Sequence, residues 1–165
     1  MTGRVPLDWR FLRANPAHAI ALSGGLGLVP VAPGTFGALA GLAIGWGLQA
    51  VPLAAAIILL MLLGAVGVWA CDVTARSAGV HDHQSIVIDE TWAMAAVAAL
   101  SPPGPVWLVI GFVAFRAFDI AKPWPVNWID THVEGGFGIM ADDGAAAVLA
   151  VALIQLAARS GWVPV

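Results

Sequence analysis

The sequence predicts an all-α, polytopic membrane protein with about four to five membrane helices arranged in hairpins. Apolar residues make up 60% of the 165-residue chain and charged residues 10%, whereas a soluble domain carries about 25% charged residues to cover its surface. Mean hydropathy is +0.89. Residues 38–70 contain no charge. This stretch is longer than the roughly 20 apolar residues that one span requires. The length indicates a single domain, residues 1–165.

The chain begins with a polar arm and a glycine-rich stretch. Residues 1–16 combine three arginines with Trp9 and Phe11, a mixture that favours an arm lying among lipid headgroups. Residues 17–160 then form the helical core. Within it, residues 23–37 hold five glycines and two prolines, so we expect a long ordered loop there.

The remaining apolar stretches predict two helical hairpins and a last helix. Pro52 and the segment 101–105, which contains three prolines, supply the two tight turns. The predicted membrane helices are residues 38–50, 53–70, 86–100, 106–118 and 145–158.

Charge is segregated to one side of this topology. All ten acidic residues and six of the seven basic residues fall on the side of the N-terminal arm and the loops 71–90 and 119–143, and only Arg159 lies opposite. The positive-inside rule assigns that acidic, loop-bearing side to the cytoplasm. The net charge of −3 and the lack of a Lys/Arg run exclude a nucleic-acid partner. No pattern in the sequence indicates an oligomeric state.

Paired carboxylates are the strongest chemical signal. Asp89-Glu90 and Asp142-Asp143 each stand at the start of a predicted helix, with Asp119 between them. The helix macrodipole stabilises acids there by about 0.3–1 kcal/mol each, so structural capping is one explanation. Adjacent acids at two helices would also repel unless a cation lay among them. Oxygen ligands without a cysteine cluster favour Mg²⁺ or Mn²⁺.

Basic residues stand close to these acids along the chain. Arg116, Asp119 and Lys122 follow an i, i+3, i+6 spacing, which places them on one helical face if the helix continues that far. They could be surface ion pairs with snorkelling side chains, or a phosphate clamp facing a metal site. Phosphoryl transfer requires such a metal and such cations. His83 belongs to a weak His-x-His pattern that could touch substrate or metal.

At these residues the chain resembles the phosphatidylglycerophosphatase A family of bacterial membranes. The order and spacing of four motifs carry the resemblance: 25–37, 82–90, 115–125 and 135–143. It implies an all-helical, Mg²⁺-dependent phosphatase of the bacterial cytoplasmic membrane that converts phosphatidylglycerophosphate to phosphatidylglycerol. The family's acidic and basic motif residues match Asp89, Glu90, Asp119, Asp142, Asp143, Arg116 and Lys122.

The residues and the resemblance together predict a site on the cytoplasmic side. Its metal ligands are Asp89, Glu90, Asp142 and Asp143, and Asp89 and Asp119 are catalytic, Asp119 as a further ligand or as the base that orients water. The predicted substrate contacts are Arg116, Lys122, His83 and the backbone N–H groups of Gly34 and Thr35.

Other functions stay open at this point. A transporter or channel subunit would distribute acids through the bilayer depth, whereas here they stand at span ends. A lipid-binding or assembly subunit would show no turnover. Within the enzyme class, another lipid phosphomonoester such as phosphatidate could be the substrate.

Overall fold

A computed structural model describes residues 6–80 and 83–160, and this part of the chain is entirely helical apart from turns. A 3-10 segment, Ser23–Leu28, joins the second and third of its α-helices. The α-helices are α1 (Trp9–Ala14), α2 (Pro16–Ala21), α3 (Pro33–Leu48), α4 (Leu53–Ala78), α5 (Ile88–Leu100), α6 (Pro105–Ala121), α7 (Val126–His132) and α8 (Gly135–Ser160). His81, whose pattern with His83 was noted above, lies outside the described residues.

The five longer helices run in alternating directions, so the predicted polar segments meet at one end of the bundle. At that end the start of α5 lies against the end of α2, because the Val87 N–H donates to the Ala21 carbonyl. At the opposite end Gln49 donates to the carbonyls of Ala98 and Ser101, and Gln155 donates to that of Leu100. The two glutamines therefore satisfy carbonyls that the end of α5 leaves without helical partners.

The closest helix pair is α3 with α5, and a stripe of glycines on α3 makes it possible. Gly37, Gly41 and Gly45 are buried and recur every four residues. A Cβ atom on Gly41 would collide with the Thr91 carbonyl oxygen, and one on Gly45 with the Ala95 carbonyl oxygen. Small residues at this spacing let two helix backbones approach closely, as in membrane helix pairs.

The all-helical prediction is confirmed, but two helices, not four or five, have the length and hydropathy of a span among the residues described. These are α4 and α8, each of 26 residues, and they indicate membrane association. The others are too short: α3 has 16 residues, α5 has 13 and α6 has 17, or about 20–26 Å at 1.5 Å per residue. The hydrocarbon core is about 30 Å thick.

Several predicted boundaries are wrong. The loop predicted for residues 23–37 is a 3-10 segment followed by α3, because Pro33 is accommodated in the first turn of a helix, where its missing N–H costs nothing. The span predicted to end at Ala70 continues as α4 to Ala78. The last helix begins at Gly135, ten residues before its predicted start.

The core lies where α5, α6 and α8 meet, and it holds the site-bearing helices in register. Phe115 of α6, Met94 of α5 and Ile154 of α8 are fully buried in one cluster. A second cluster joins α2 to α4 and α8 beneath the polar end. Leu7 and Leu12 of the arm pack against this cluster. Phe11 of the arm stacks on His18 with ring centroids 3.9 Å apart.

Candidate active site

Helix α5 brings two carboxylates to the polar end in its first turn. Asp89 is 8% exposed, and its carboxylate accepts a hydrogen bond from the Glu90 N–H. The Thr91 hydroxyl forms hydrogen bonds with the carbonyl oxygens of Val87 and Gly37, and the contact with Gly37 links this turn to α3. The start of α5 is therefore held by neighbouring elements and does not depend on helix propensity alone.

Helix α8 supplies a third carboxylate from its interior. Asp143 is 4% exposed, and one oxygen from each of Asp89, Glu90 and Asp143 lies within 4.8 Å of the others. Oxygen Oε2 of Glu90 and oxygen Oδ2 of Asp143 are buried and have no hydrogen-bond partner among the residues that the structure describes. These two oxygens are buried acceptors that lack donors, and they belong to a group of three carboxylates. A cation bound among the three would stabilise the group.

The position of Asp142 and Asp143 excludes simple helix capping. Both lie two turns inside α8, whose first residue is Gly135. The prediction that they begin a helix is wrong for that reason. Because the macrodipole acts within the first turn only, it does not account for two acids so far along the helix.

Two basic residues, Arg116 and Lys122, form ion pairs with carboxylates around these three acids. Arg116 donates from Nη1 to Oδ2 of Asp119 at 2.6 Å, and the same atom lies 4.0 Å from Oε1 of Glu90. Both members of the Arg116–Asp119 pair are less than a fifth exposed. Asp119 is also an electrostatic neighbour of Glu90 and Asp143, so it stands between the guanidinium and the three clustered acids.

Lys122 forms the second cationic contact. The helix α6 ends at Ala121, one residue too early for Lys122 to share the face of Arg116, and Lys122 has a left-handed backbone with φ 42°. Its Nζ lies 2.6 Å from Oδ2 of Asp142 and 2.6 Å from Oδ1 of Asp130. Partial burial alone would lower the pKa of the Lys122 ammonium, but these two hydrogen bonds outweigh it and raise that pKa above its ordinary value.

These groups surround one polar cavity of about 210 Å³. Five carboxylates and two cations line it, so three negative charges remain uncompensated when all seven groups are ionised. A divalent cation would offset most of that excess, and the donors are all hard oxygens, which suit such an ion. The lining residues are Pro33, Gly34, Gln84, Ile86, Asp89, Glu90, Arg116, Asp119, Lys122, Asp142 and Asp143.

Of the two residues whose backbone N–H groups were predicted to contact the substrate, one lines this cavity and the other does not. Gly34 lines it, and a Cβ atom there would collide with Oε1 of Glu90, so α3 approaches the carboxylates closely only because this residue is glycine. The Thr35 N–H donates to the Ala32 carbonyl within the first turn of α3. Thr35 is not among the lining residues.

Gln84 lines the cavity, whereas the predicted contact His83 does not. The Nδ1 atom of His83 accepts a hydrogen bond from the Ser85 N–H in a local turn, and His83 is not among the residues that line the cavity. Gln84 does line it. No sequence signal distinguished Gln84, because a single exposed glutamine has many uses. A substrate contact from His83 stays a prediction.

Comparison with known proteins places the chain among lipid phosphatases. A family model described as phosphatidylglycerophosphatase A matches residues 19–158. Phosphatidylglycerophosphatase A of Escherichia coli (strain K12) is 40% identical over 146 residues, covering 88% of this chain and 85% of the relative. Phosphatidylglycerophosphatase A of Haemophilus influenzae is 42% identical over 167 residues, covering 93% and 95%.

A more distant relative bears a different substrate in its name. A Bacteroides thetaiotaomicron protein with the provisional name of a phosphatidylinositol-3-phosphatase is 33% identical over 141 residues, covering 81% of this chain and 87% of the relative. No solved structure matches the chain. The match to the family model includes every residue that lines the polar cavity. The chain belongs to the phosphatidylglycerophosphatase A family.

Proposed function

We propose that this protein is a Mg²⁺-dependent phosphatase that removes the terminal phosphate of phosphatidylglycerophosphate and releases phosphatidylglycerol. The observation that carries the proposal is the buried trio Asp89, Glu90 and Asp143, with two unpartnered oxygens, beside Arg116 and Lys122. Family membership supports the activity and the substrate. The hard-oxygen donor set supports Mg²⁺.

The trio would hold the ion. Asp89, Glu90 and Asp143 offer the oxygens within 4.8 Å of one another, whereas Asp142 already accepts from Lys122 and is the peripheral member of the predicted ligand set. When bound, Mg²⁺ neutralises phosphate charge and makes water more acidic.

The chain's own residues bind the phosphate and direct the attack. Arg116 and Lys122 stand on the same cavity as the trio and would contact the phosphate oxygens. Asp119 would accept a proton from the attacking water, whose oxygen then bonds to phosphorus. The phosphorus–oxygen bond to the glycerol breaks, and the glycerol oxygen takes a proton from solvent. Arg116, bonded to Asp119 at 2.6 Å, would orient that carboxylate.

We also propose a multi-pass topology with the polar end at the cytoplasmic face of the bacterial inner membrane. The helices α4 and α8 are the spans, and α3 with the α5–α6 hairpin would enter the bilayer without the full length of a span. An exposed stripe along α6 supports contact with lipid tails, since Val106, Val109, Val113 and Ile120 are each more than half exposed. The acyl chains of the substrate would stay in the bilayer while its phosphate reaches the polar end.

The first experiment measures phosphate release by the purified protein in detergent. We expect turnover of phosphatidylglycerophosphate with Mg²⁺ and none with EDTA. The variant Asp143→Asn should lose activity by about a hundredfold or more, because it removes a ligand and a charge from the trio. The matched control is Glu134→Gln, since Glu134 is an exposed carboxylate on the same end of the bundle and does not line the cavity.

Each result bears on a different part of the proposal. Equal turnover in Mg²⁺ and EDTA would contradict the metal dependence, and an Asp143→Asn variant within tenfold of the parent would contradict the assignment of the trio. A panel with phosphatidate and phosphatidylinositol 3-phosphate tests the substrate. Preferred turnover of either would contradict phosphatidylglycerophosphate as the substrate. No turnover of any lipid phosphate would favour a non-enzymatic membrane binding or transport subunit.

A further inference from the structure

We infer that Asp130 of α7 is a positioning residue that, together with Asp142, aims the Lys122 ammonium into the active-site cavity. This inference deepens the proposed function and rests on it. Asp130 does not line the cavity, whereas Lys122 and Asp142 do. It would therefore act on the substrate through Lys122 alone.

The Lys122 ammonium makes hydrogen bonds to two carboxylates in the described part of the chain. An ammonium has three N–H donors and no acceptor. Two of them reach Asp130 and Asp142 at 2.6 Å each, from carboxylates on two different helices. One donor is left, and the Lys122 side chain remains 31% exposed on the cavity. Two fixed acceptors thus define the direction of the third donor, which is free to meet a phosphate oxygen.

A single carboxylate would not fix the direction of the Lys122 ammonium. A lysine side chain has several rotatable bonds, so a single hydrogen bond leaves the ammonium able to pivot about its partner. The backbone adds little restraint of its own, because Lys122 follows the end of α6 and Pro123 prevents the helix from continuing. Asp130 supplies the second fixed point.

The helix α7 is a rigid support for Asp130. Val126, one turn earlier on the same helix, is fully buried in the core cluster that also contains Phe115. Its N–H donates to the Pro123 carbonyl at 2.7 Å, which ties the start of α7 to the residue after Lys122. The helix also packs along α8, the helix of Asp142. Both acceptors of Lys122 are therefore anchored in the same packed unit.

An ordinary surface ion pair is the competing explanation. Such pairs contribute little to stability, and this one would then have no effect on substrate binding. Asp130 is 39% exposed, which agrees with that explanation as well. The two explanations differ in substrate affinity, so the test measures KM and kcat separately.

The kinetic test uses a double-mutant cycle between Asp130 and Lys122. We expect Asp130→Ala to raise the KM for the lipid phosphate about five- to twentyfold and to change kcat less than about threefold, because it weakens one contact to phosphate without removing the Lys122 ammonium. Asp130→Glu should recover most of the loss. In a Lys122→Ala background, Asp130→Ala should have no further effect, and Glu134→Gln should match the parent throughout. Equal effects in both backgrounds, or a lowered KM, would overturn the inference.

A second readout does not depend on turnover. Lys122 is the only lysine in the sequence, so lysine labelled with ¹³C at the ε position gives one side-chain resonance in untagged protein. We expect Asp130→Asn to lower the pKa of that ammonium and to weaken the shift that inorganic phosphate causes in the parent. An unchanged titration and an unchanged phosphate response would overturn the inference. If the parent responds to phosphate but hydrolyses no lipid phosphate, the proposed function fails and this inference stands.

Discussion

At the scale of single residues, two cations determine which carboxylates remain uncompensated. Arg116 takes Asp119 as its partner and Lys122 takes Asp142, each at 2.6 Å. The remaining three acids, Asp89, Glu90 and Asp143, form the trio with the two unpartnered oxygens. The sequence predicted a larger set that also includes Asp142, and it did not predict the pairing, because the pairing depends on where α6 ends and α7 turns back.

The raised pKa of Lys122 predicts a pH dependence for stability. The ammonium gains partners on folding, so its contribution is complete below the ordinary lysine pKa of about 10.4 and is lost as pH rises through the higher folded value. Lys122→Met should therefore lower the Tm by a constant amount between about pH 6 and 9, and the difference from the parent should shrink only in more alkaline solution. Thermal unfolding in detergent at stepped pH measures this. A difference that disappears below pH 9 would contradict it.

At the scale of elements, the glycine stripe of α3 decides how closely α3 approaches the carboxylate-bearing helix α5. Gly37, Gly41 and Gly45 face α5, while Gly34 at the same helix faces Glu90. The spacing of these glycines is visible in the sequence. Their use as a contact surface is not, because Gly34 and Gly37 fall where we expected a loop, and the spacing of Gly41 and Gly45 does not identify the helix that packs against them.

This interface predicts that Gly41→Ala is destabilising although alanine favours helices. The added Cβ would collide with the Thr91 carbonyl oxygen, and a backbone atom cannot rotate away as a side chain does. We expect a loss of about 1–3 kcal/mol and a lower Tm in detergent. Gly47→Ala on the same helix is the control, because a Cβ atom at Gly47 meets no atom within 4 Å. It should be neutral or slightly stabilising, and equal effects of the two substitutions would refute the interface.

At the scale of the whole molecule, alternating helix directions gather the acidic, loop-bearing segments at one end. The described ends of α4 and α6 and the beginnings of α5 and α8 meet there, with α7 between them. Arg159, near the end of α8, lies at the other end. The arrangement agrees with the charge segregation in the sequence, since both follow from the same order of turns and spans.

Single cysteines test the orientation of this bundle in the membrane. Ala50 lies in the turn between α3 and α4, and Asn127 lies in α7, and both are exposed. In intact cells a membrane-impermeant thiol reagent should label Ala50→Cys and should leave Asn127→Cys unlabelled until the membrane is permeabilised. The parent protein, whose single cysteine Cys71 is buried, serves as the background control. Labelling in the reverse order would place the polar end outside the cell.

The sequence by itself determined the helical class, the gathering of charge at one side and the charged residues that line the site. Those features follow from composition, hydrophobic run lengths and local spacing, which are properties of the chain alone. Only the tertiary structure decided that α8 begins at Gly135, so that Asp142 and Asp143 stand inside a helix, and that α4 continues to Ala78.

Tertiary structure also decided the contacts within the site. Which carboxylate receives Lys122, and which oxygens of Glu90 and Asp143 are left without a donor, depend on distances between helices that are far apart in the chain. The physical reason is that hydrogen bonds and charge pairs act over a few ångströms, whereas sequence patterns report only the face and the order of each helix.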